Sequence, residues 1–422
     1  MGLSFLSTIR NLAVTVINGY AGIMTSAIRP PATPRRRRRP LVPILLALWA
    51  IVTVFILVCM VLPTMPNAGL FTVSVLAYSY NPFLLVLAFL GAVLLVVALR
   101  GRRWTTTAVA GVLTVAVIAA VAVPTAQLAA TAAENDVALS VPRLFQGPQG
   151  GLDGPSLTTT YATVDGEDLE MDVWRPENQE DAARSAMVYV YGGGFSSGTR
   201  EQWAPYFQHL TSRGITVFSM DYRLSTPSEP SWDKAAGDVK CAVGWVHANA
   251  DAYGIDSSRV AISGGSAGGN LAMMAAYSAG SDSVPSSCDT GNSSVRAVVD
   301  FYGPPDLAEL YSGTPSAAVA DSLVQYLGAT PAEDAERYRL LSPETYVDSA
   351  SPPTLVIQGT RDTGVQASLS TDLAAQLDEA GVVNELLLLP ATEHGFDAVY
   401  GGFANQIAQA RVDRFLDEHL IG

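Results

Sequence analysis

The chain has 422 residues, more than one average domain, and carries 25 Lys and Arg against 39 Asp and Glu, a net charge of −14. The charge is unevenly spread. The first acidic residue is Glu134, ten basic residues precede it, and the remainder holds 15 basic against 39 acidic groups. A single, electrically uniform domain is thereby excluded: a basic and apolar front precedes an acidic back of soluble character.

Residues 1–40 form the basic front and include the run Arg35 to Arg39. Such a run can bind nucleic acid, but beside an apolar span it acts as a topology signal, and no nucleic-acid partner is expected. Leu3, Leu6, Ile9, Leu12, Val16 and Ile17 would line one face of a helix lying on a membrane. Met24 offers a second possible start to the chain, and the residues do not choose between these readings.

Three uncharged stretches follow, residues 41–62, 82–99 and 105–123, of 22, 18 and 19 residues. Each is near the ~20 residues that a helix needs to cross a bilayer, and the second can extend back toward Leu70. A buried core helix would alternate with polar residues, and a signal peptide would supply one short apolar region. The sequence therefore predicts three transmembrane helices within residues 41–125. The clusters Arg35 to Arg39 and Arg100, Arg102 and Arg103 then share one side, which the positive-inside rule makes cytoplasmic. Three crossings place the rest of the chain outside the cell membrane; an even number would leave it inside. Residues 126–151 contain Pro and Gly and read as a linker.

Residues 152–422 suffice for one large α/β core. Strands are predicted at 169–174, 186–191, 216–220, 260–263, 297–302, 354–358 and 385–389. Helices are predicted at 202–213, 232–253, 270–278, 369–380 and 404–420. This alternation gives a sheet with helices on both faces. Cys241, on a helix, and Cys288, in a Ser/Asp/Gly-rich loop, are the only cysteines in this part; in an oxidising compartment they are candidates for a disulfide. Cys59 lies in the first span.

Chemistry-bearing residues fall just past strand ends. Gly192-Gly193-Gly194 follows the second strand, where glycines let the backbone approach a ligand closely. Gly264-Gly265-Ser266-Ala267-Gly268 lies between a short apolar strand and a helix-forming segment, as a strand–turn–helix nucleophile requires. A serine hydroxyl needs a base. Of four histidines, His209, His247 and His419 fall on helices, and His394 alone sits in a loop after a strand. The imidazole needs a carboxylate; Asp362 occupies the equivalent place one strand earlier, with Glu393 as runner-up. Gly193 and Gly194, with Ala267, would supply the N–H groups of an oxyanion hole.

Together these residues resemble an α/β-hydrolase of the hormone-sensitive-lipase-like and acetyl/feruloyl esterase-like group, over residues 158–420. Tyr191-Gly192-Gly193-Gly194-Phe195, Asp221-Tyr222-Arg223-Leu224, Gly264 to Asn270, Asp300-Phe301-Tyr302-Gly303-Pro304, Asp362 and His394-Gly395-Phe396 carry the likeness. Tyr253-Gly254-Ile255-Asp256, ahead of the nucleophile strand, adds to it. One departure stands out: the family usually has His where this chain has Tyr191, which bears on the geometry of the oxyanion loop. Asp221-Tyr222-Arg223 reads as a structural ion-pair and packing element.

The resemblance implies hydrolysis of a small-molecule, glycan or lipid ester of short or medium acyl length by Ser266, His394 and Asp362, without metal or cofactor. Residues 306–351 would shape the substrate pocket. Two alternatives stand beside it: an exopeptidase of the same fold, which would need a pocket for a peptide's amino terminus, and a catalytically silent, membrane-anchored binding domain.

Overall fold

The computed structural model describes residues 41–62, 68–147, 154–177, 184–289, 291–314 and 316–422. Residues 1–40, with the arginine run and the apolar positions ahead of it, lie outside the described residues. Four helices come first: α1 (Leu41–Val61), α2 (Ala68–Ser79), α3 (Leu85–Arg100) and α4 (Trp104–Glu134).

Two of the three expected spans have full-length helices. Among the described residues, two helices are long and apolar enough to cross a membrane, Pro43–Val61 and Trp104–Glu134. The middle stretch, 82–99, begins at Pro82, which lacks an N–H and separates α3 from the extension toward Leu70. The result is α2, a 3₁₀ turn at Asn81–Leu84, and the 16-residue α3.

The expected linker also differs. Helix α4 continues to Glu134 and so takes in the first residues of the 126–151 segment. Its Ala-rich end is strongly helix-forming, and Leu128 and Ala132, four residues apart on one face, are buried against the following domain. Residues 148–153 lie outside the described residues.

The rest is one mixed eight-stranded sheet with helices on both sides. Its strands are β1 (Leu157–Val164), β2 (Glu167–Trp174), β3 (Ser185–Val190), β4 (Ile215–Met220), β5 (Val260–Gly265), β6 (Val298–Phe301), β7 (Thr354–Gly359) and β8 (Asn384–Leu389). The order is β1-β2-β4-β3-β5-β6-β7-β8. Pairing is antiparallel for β1–β2 and β2–β4 and parallel from β4 onward. Every residue of β3 to β7 is buried, which explains why these strands read as continuous apolar runs. The edge strand β1, Thr-rich and mostly exposed, carries no such signal.

The helices of this part are α5 (Ala204–Ser212), α6 (Ala235–Ala248), α7 (Ala267–Tyr277), α8 (Leu307–Gly313), α9 (Ala317–Leu327), α10 (Ala335–Leu340), α11 (Ala367–Glu379) and α12 (Phe403–Leu416). Helices α8 to α10 occupy the region between β6 and β7 that the sequence left without assigned elements. Cys241 of α6 is joined to Cys288 in a disulfide, with Cα atoms 5.3 Å apart.

Candidate active site

Ser266 is the single residue between β5 and α7. Its backbone lies at φ 57°, ψ −125°, a region that residues with a Cβ adopt only when their surroundings enforce it. Close packing is the enforcer. A Cβ on Gly268 would sit 2.1 Å from the Val190 carbonyl oxygen, and one on Gly264 would sit 2.3 Å from that of Gly268. Only glycines let the turn close this tightly, so the Gly-x-Ser-x-Gly spacing follows from sterics.

His394 follows β8, and Asp362 follows β7. The loops bring both to Ser266: His394 Nε2 lies 2.9 Å from Ser266 Oγ, and its Nδ1 lies 2.8 Å from Asp362 Oδ2. Asp362 has a fully buried side chain. Its Oδ1 accepts from the N–H of Gly364 (2.8 Å) and Val365 (2.7 Å), and its Oδ2 accepts from Gln358 Nε2 (2.9 Å). Those bonds fix the carboxylate before it meets the imidazole. Burial alone would lower the His394 pKa, but the charge and hydrogen bond of Asp362, helped by Glu393 and Asp397, raise it above the ordinary value.

The glycine loop after β3 closes one side. Gly193 (φ 128°), Gly194 (φ 60°) and Phe195 (φ 61°) all have positive φ. A Cβ on Gly193 would lie 2.0 Å from the Ser197 carbonyl oxygen. Both glycine carbonyls are engaged: Ser197 N–H donates to Gly193 (3.1 Å) and Ser322 Oγ donates to Gly194 (2.6 Å). The Phe195 ring stacks on Tyr326 at 3.9 Å, tying the loop to α9.

These groups share one cavity of about 660 Å³. Gly193, Gly194, Ser266, Ala267 and His394 line it together with apolar Pro304, Leu310, Val319, Leu323 and Val365. Helices α8 and α9 thus form much of its wall, while Tyr326 and Tyr338 from the same region are buried packing residues. Apart from His394, none of the described residues lining the cavity is charged or titratable.

The remaining histidines lie elsewhere: His209 Nε2 is 2.8 Å from Asp413 Oδ1, His247 Nε2 is 2.8 Å from the Ser294 carbonyl, and His419 packs on Phe415. Glu393, the runner-up acid, contacts backbone instead of imidazole. Its Oε1 accepts from the N–H of Thr363 (2.6 Å) and of His394 (3.0 Å). Burial raises its pKa. Tyr191 supports its loop through its ring, which stacks on Tyr222 at 4.7 Å, and Tyr222 Oη donates to the Tyr191 carbonyl (3.1 Å). Arg223 is paired with buried Asp238 at 2.7 Å and with Asp165 at 2.9 Å, as a structural element.

Several supporting groups escaped the sequence reading. Gln358 and Ser322 hold the acid and the glycine loop, as above. The Tyr302 ring lies 4.5 Å from that of His394, and its hydroxyl donates to Asp397, whose pKa burial pushes up to about 6. The Tyr302 and Phe301 positions within the Asp300-to-Pro304 motif were the available signal.

Fold and geometry define the class: residues from Leu157 onward form an α/β-hydrolase domain. The BD-FAE family model matches residues 171–377. The esterase LipQ of Mycobacterium tuberculosis is 27% identical over 290 residues, 67% of this chain and 66%, just under two-thirds, of LipQ itself. Ethyl acetate hydrolase of Pseudomonas putida is 28% identical over 252 residues, 56% of this chain and 74% of that protein. The propionate-bound structure of the Thermogutta terrifontis esterase Est2 superposes with a TM-score of 0.52 at 26% identity, over 66% of this chain and 97% of that one. These relatives and the superposed structure are named as esterases or ester hydrolases.

Proposed function

We propose that the chain is a membrane-anchored serine hydrolase that cleaves carboxylic esters of short or medium acyl length. The observation that carries this reading is the Ser266–His394–Asp362 relay, at 2.9 and 2.8 Å, opening into an apolar cavity. Ser266 Oγ attacks the ester carbonyl carbon as its proton passes to His394 Nε2. Asp362 holds the Nδ1–H and stabilises the imidazolium. The N–H groups of Gly193, Gly194 and Ala267 receive the oxyanion of the tetrahedral intermediate. Collapse expels the alcohol, which takes the proton from His394 and leaves an acyl-serine. Water, activated by the same base, releases the acid.

The wall of α8 and α9, apolar and of moderate volume, supports a short or medium acyl group. The propionate and ethyl acetate named for the Est2 structure and for the Pseudomonas relative support the short end. An exopeptidase would need an acidic group to hold the substrate ammonium, and no carboxylate is among the described lining residues. The reading is tested by kcat/KM for p-nitrophenyl acetate, butyrate, octanoate and laurate, with Ser266→Ala as control. A maximum at acetate or butyrate is expected; no Ser266-dependent turnover of any ester contradicts it.

The anchor is proposed to have three passes, with the domain outside. Helix α3 and the preceding 3₁₀ turn together rise roughly 32 Å, about the hydrocarbon thickness. Trp49 Nε1 donates to the Leu87 carbonyl (2.9 Å), and a Cβ on Gly91 would meet both Trp49 and Thr114, so the three helices pack closely. Ile51, Phe89 and Val112 are exposed on their outer faces, as lipid contact requires. Arg103 immediately precedes α4, while Leu128 and Ala132 at its other end dock on the hydrolase domain. The domain therefore lies across α4 from the basic cluster, which favours the outside.

A further inference from the structure

Helix α2 is too short to span a membrane, yet it makes two polar contacts that bear on the site. Its Tyr78 ring lies under the Arg361 guanidinium, 5.1 Å from centroid to carbon. Arg361 immediately precedes Asp362, and its N–H donates to the Thr392 carbonyl (3.0 Å), so it joins the two loops that carry the acid and the base. The same guanidinium reaches the Leu62 carbonyl (3.4 Å) just past α1. Ser74 Oγ lies 3.4 Å from Glu393 Oε2, and Glu393 immediately precedes His394.

Glu393 is itself a clamp. Its other oxygen accepts from the N–H of His394 and from both the N–H and hydroxyl of Thr363, the residue after Asp362. Helix α2 is fixed in turn: Tyr78 Oη donates to the Met60 carbonyl, and Ser74 Oγ lies 3.2 Å from the Cys59 carbonyl. A continuous path of contacts thus runs from the end of α1 through α2 to the residues next to Asp362 and His394. None of this path's α1 or α2 residues falls within the matched family region, 171–377.

We propose that Ser74 and Tyr78 are positioning residues, through which the N-terminal helices hold the acid and base loops in register for catalysis. The proposal rests on the roles given to Asp362 and His394 above. Its physical basis is that loops beyond strand ends are easily displaced, and a shift of about 1 Å in a relay can cost up to roughly 100-fold in rate.

The test uses the full chain in lipid nanodiscs, with the variants Tyr78→Leu, Tyr78→Phe, Ser74→Ala and Arg361→Met. Two readouts are taken on each: kcat and KM for p-nitrophenyl butyrate, and the downfield NMR signal of the His394 Nδ1 proton shared with Asp362. Tyr78→Leu and Arg361→Met are expected to lower kcat by about 10-fold or more with KM within about twofold, and to broaden or shift the Nδ1 signal. Ser74→Ala moves both readouts in the same direction by less. Tyr78→Phe keeps the ring under Arg361 and recovers kcat to within about threefold of wild type. Should Tyr78→Leu fail to fold, Arg361→Met, which keeps an apolar stem, decides alone. Unchanged kcat and an unchanged Nδ1 signal in folded Arg361→Met overturn the proposal. A wild type that turns over no ester while its Nδ1 signal still responds to the variants would sink the esterase reading and leave the positioning role standing.

Discussion

Ser266 holds a backbone conformation costing about 1–3 kcal/mol, and the glycines around it exist to enforce that conformation. Replacing Ser266 with Ala is expected to lower kcat for ester hydrolysis by about 10⁴-fold or more, with the far-UV spectrum unchanged. Asp362→Asn should cost about 10³- to 10⁴-fold, since an amide can hold the wrong imidazole tautomer. Gly193→Ala drives a Cβ into the Ser197 carbonyl and should cut kcat by about 10²- to 10³-fold by distorting the oxyanion loop. The base works only when neutral, so kcat/KM falls as pH drops through the His394 pKa. Asp362 raises that pKa, so Asp362→Asn should move the acidic limb down. The same shift favours the charged imidazole in the folded state. Its contribution to stability is full below the unfolded pKa and is lost as pH rises through the folded one. A limb that Asp362→Asn leaves unmoved would contradict the assignment. The relay was legible because only one of four histidines falls in a strand-end loop, and because the acid and nucleophile lie at equivalent strand ends. Ser74 and Tyr78 were not legible: Ser74 meets Glu393 across 319 positions of sequence.

At the scale of elements, the parallel core could be read because β3 to β7 are buried on both faces and must be apolar throughout. The Thr-rich edge strand β1 and the short helices α8 to α10 escaped because their signal is tertiary: α8 and α9 line the cavity, and Tyr326 of α9 and Tyr338 of α10 are buried. Pro82 was legible as the start of the middle stretch, but the possible extension toward Leu70 is a separate helix, α2. The Cys241–Cys288 link closes a loop of 47 residues' separation between α6 and the segment leading to β6. Loop-closure entropy alone assigns it about 4 kcal/mol. The double substitution of both cysteines by Ser is expected to lower the melting temperature of the full chain by roughly 5–10 °C, measured by thermal unfolding. Equal alkylation of the native protein with and without reductant would show that the two thiols are unpaired.

At the scale of the molecule, the charge split and the apolar helices are what support the proposed membrane anchor, and the last of these helices, α4, runs from the basic residues Arg100, Arg102 and Arg103 to the hydrolase domain. Composition alone revealed the two halves, because the front holds no acidic residue before Glu134 while the remainder holds 39. It could not reveal that α4 stays helical into the domain, because the burial of Leu128 and Ala132 depends on a surface assembled far along the chain. The most direct measurement is labelling of intact cells with a membrane-impermeant fluorophosphonate, read by tagged-protein fluorescence and controlled with Ser266→Ala. Labelling of the wild type alone, before the cells are broken, is the predicted result. Labelling that requires broken cells would contradict the outward-facing domain, and no labelling of wild type under either condition would contradict Ser266 as an active nucleophile.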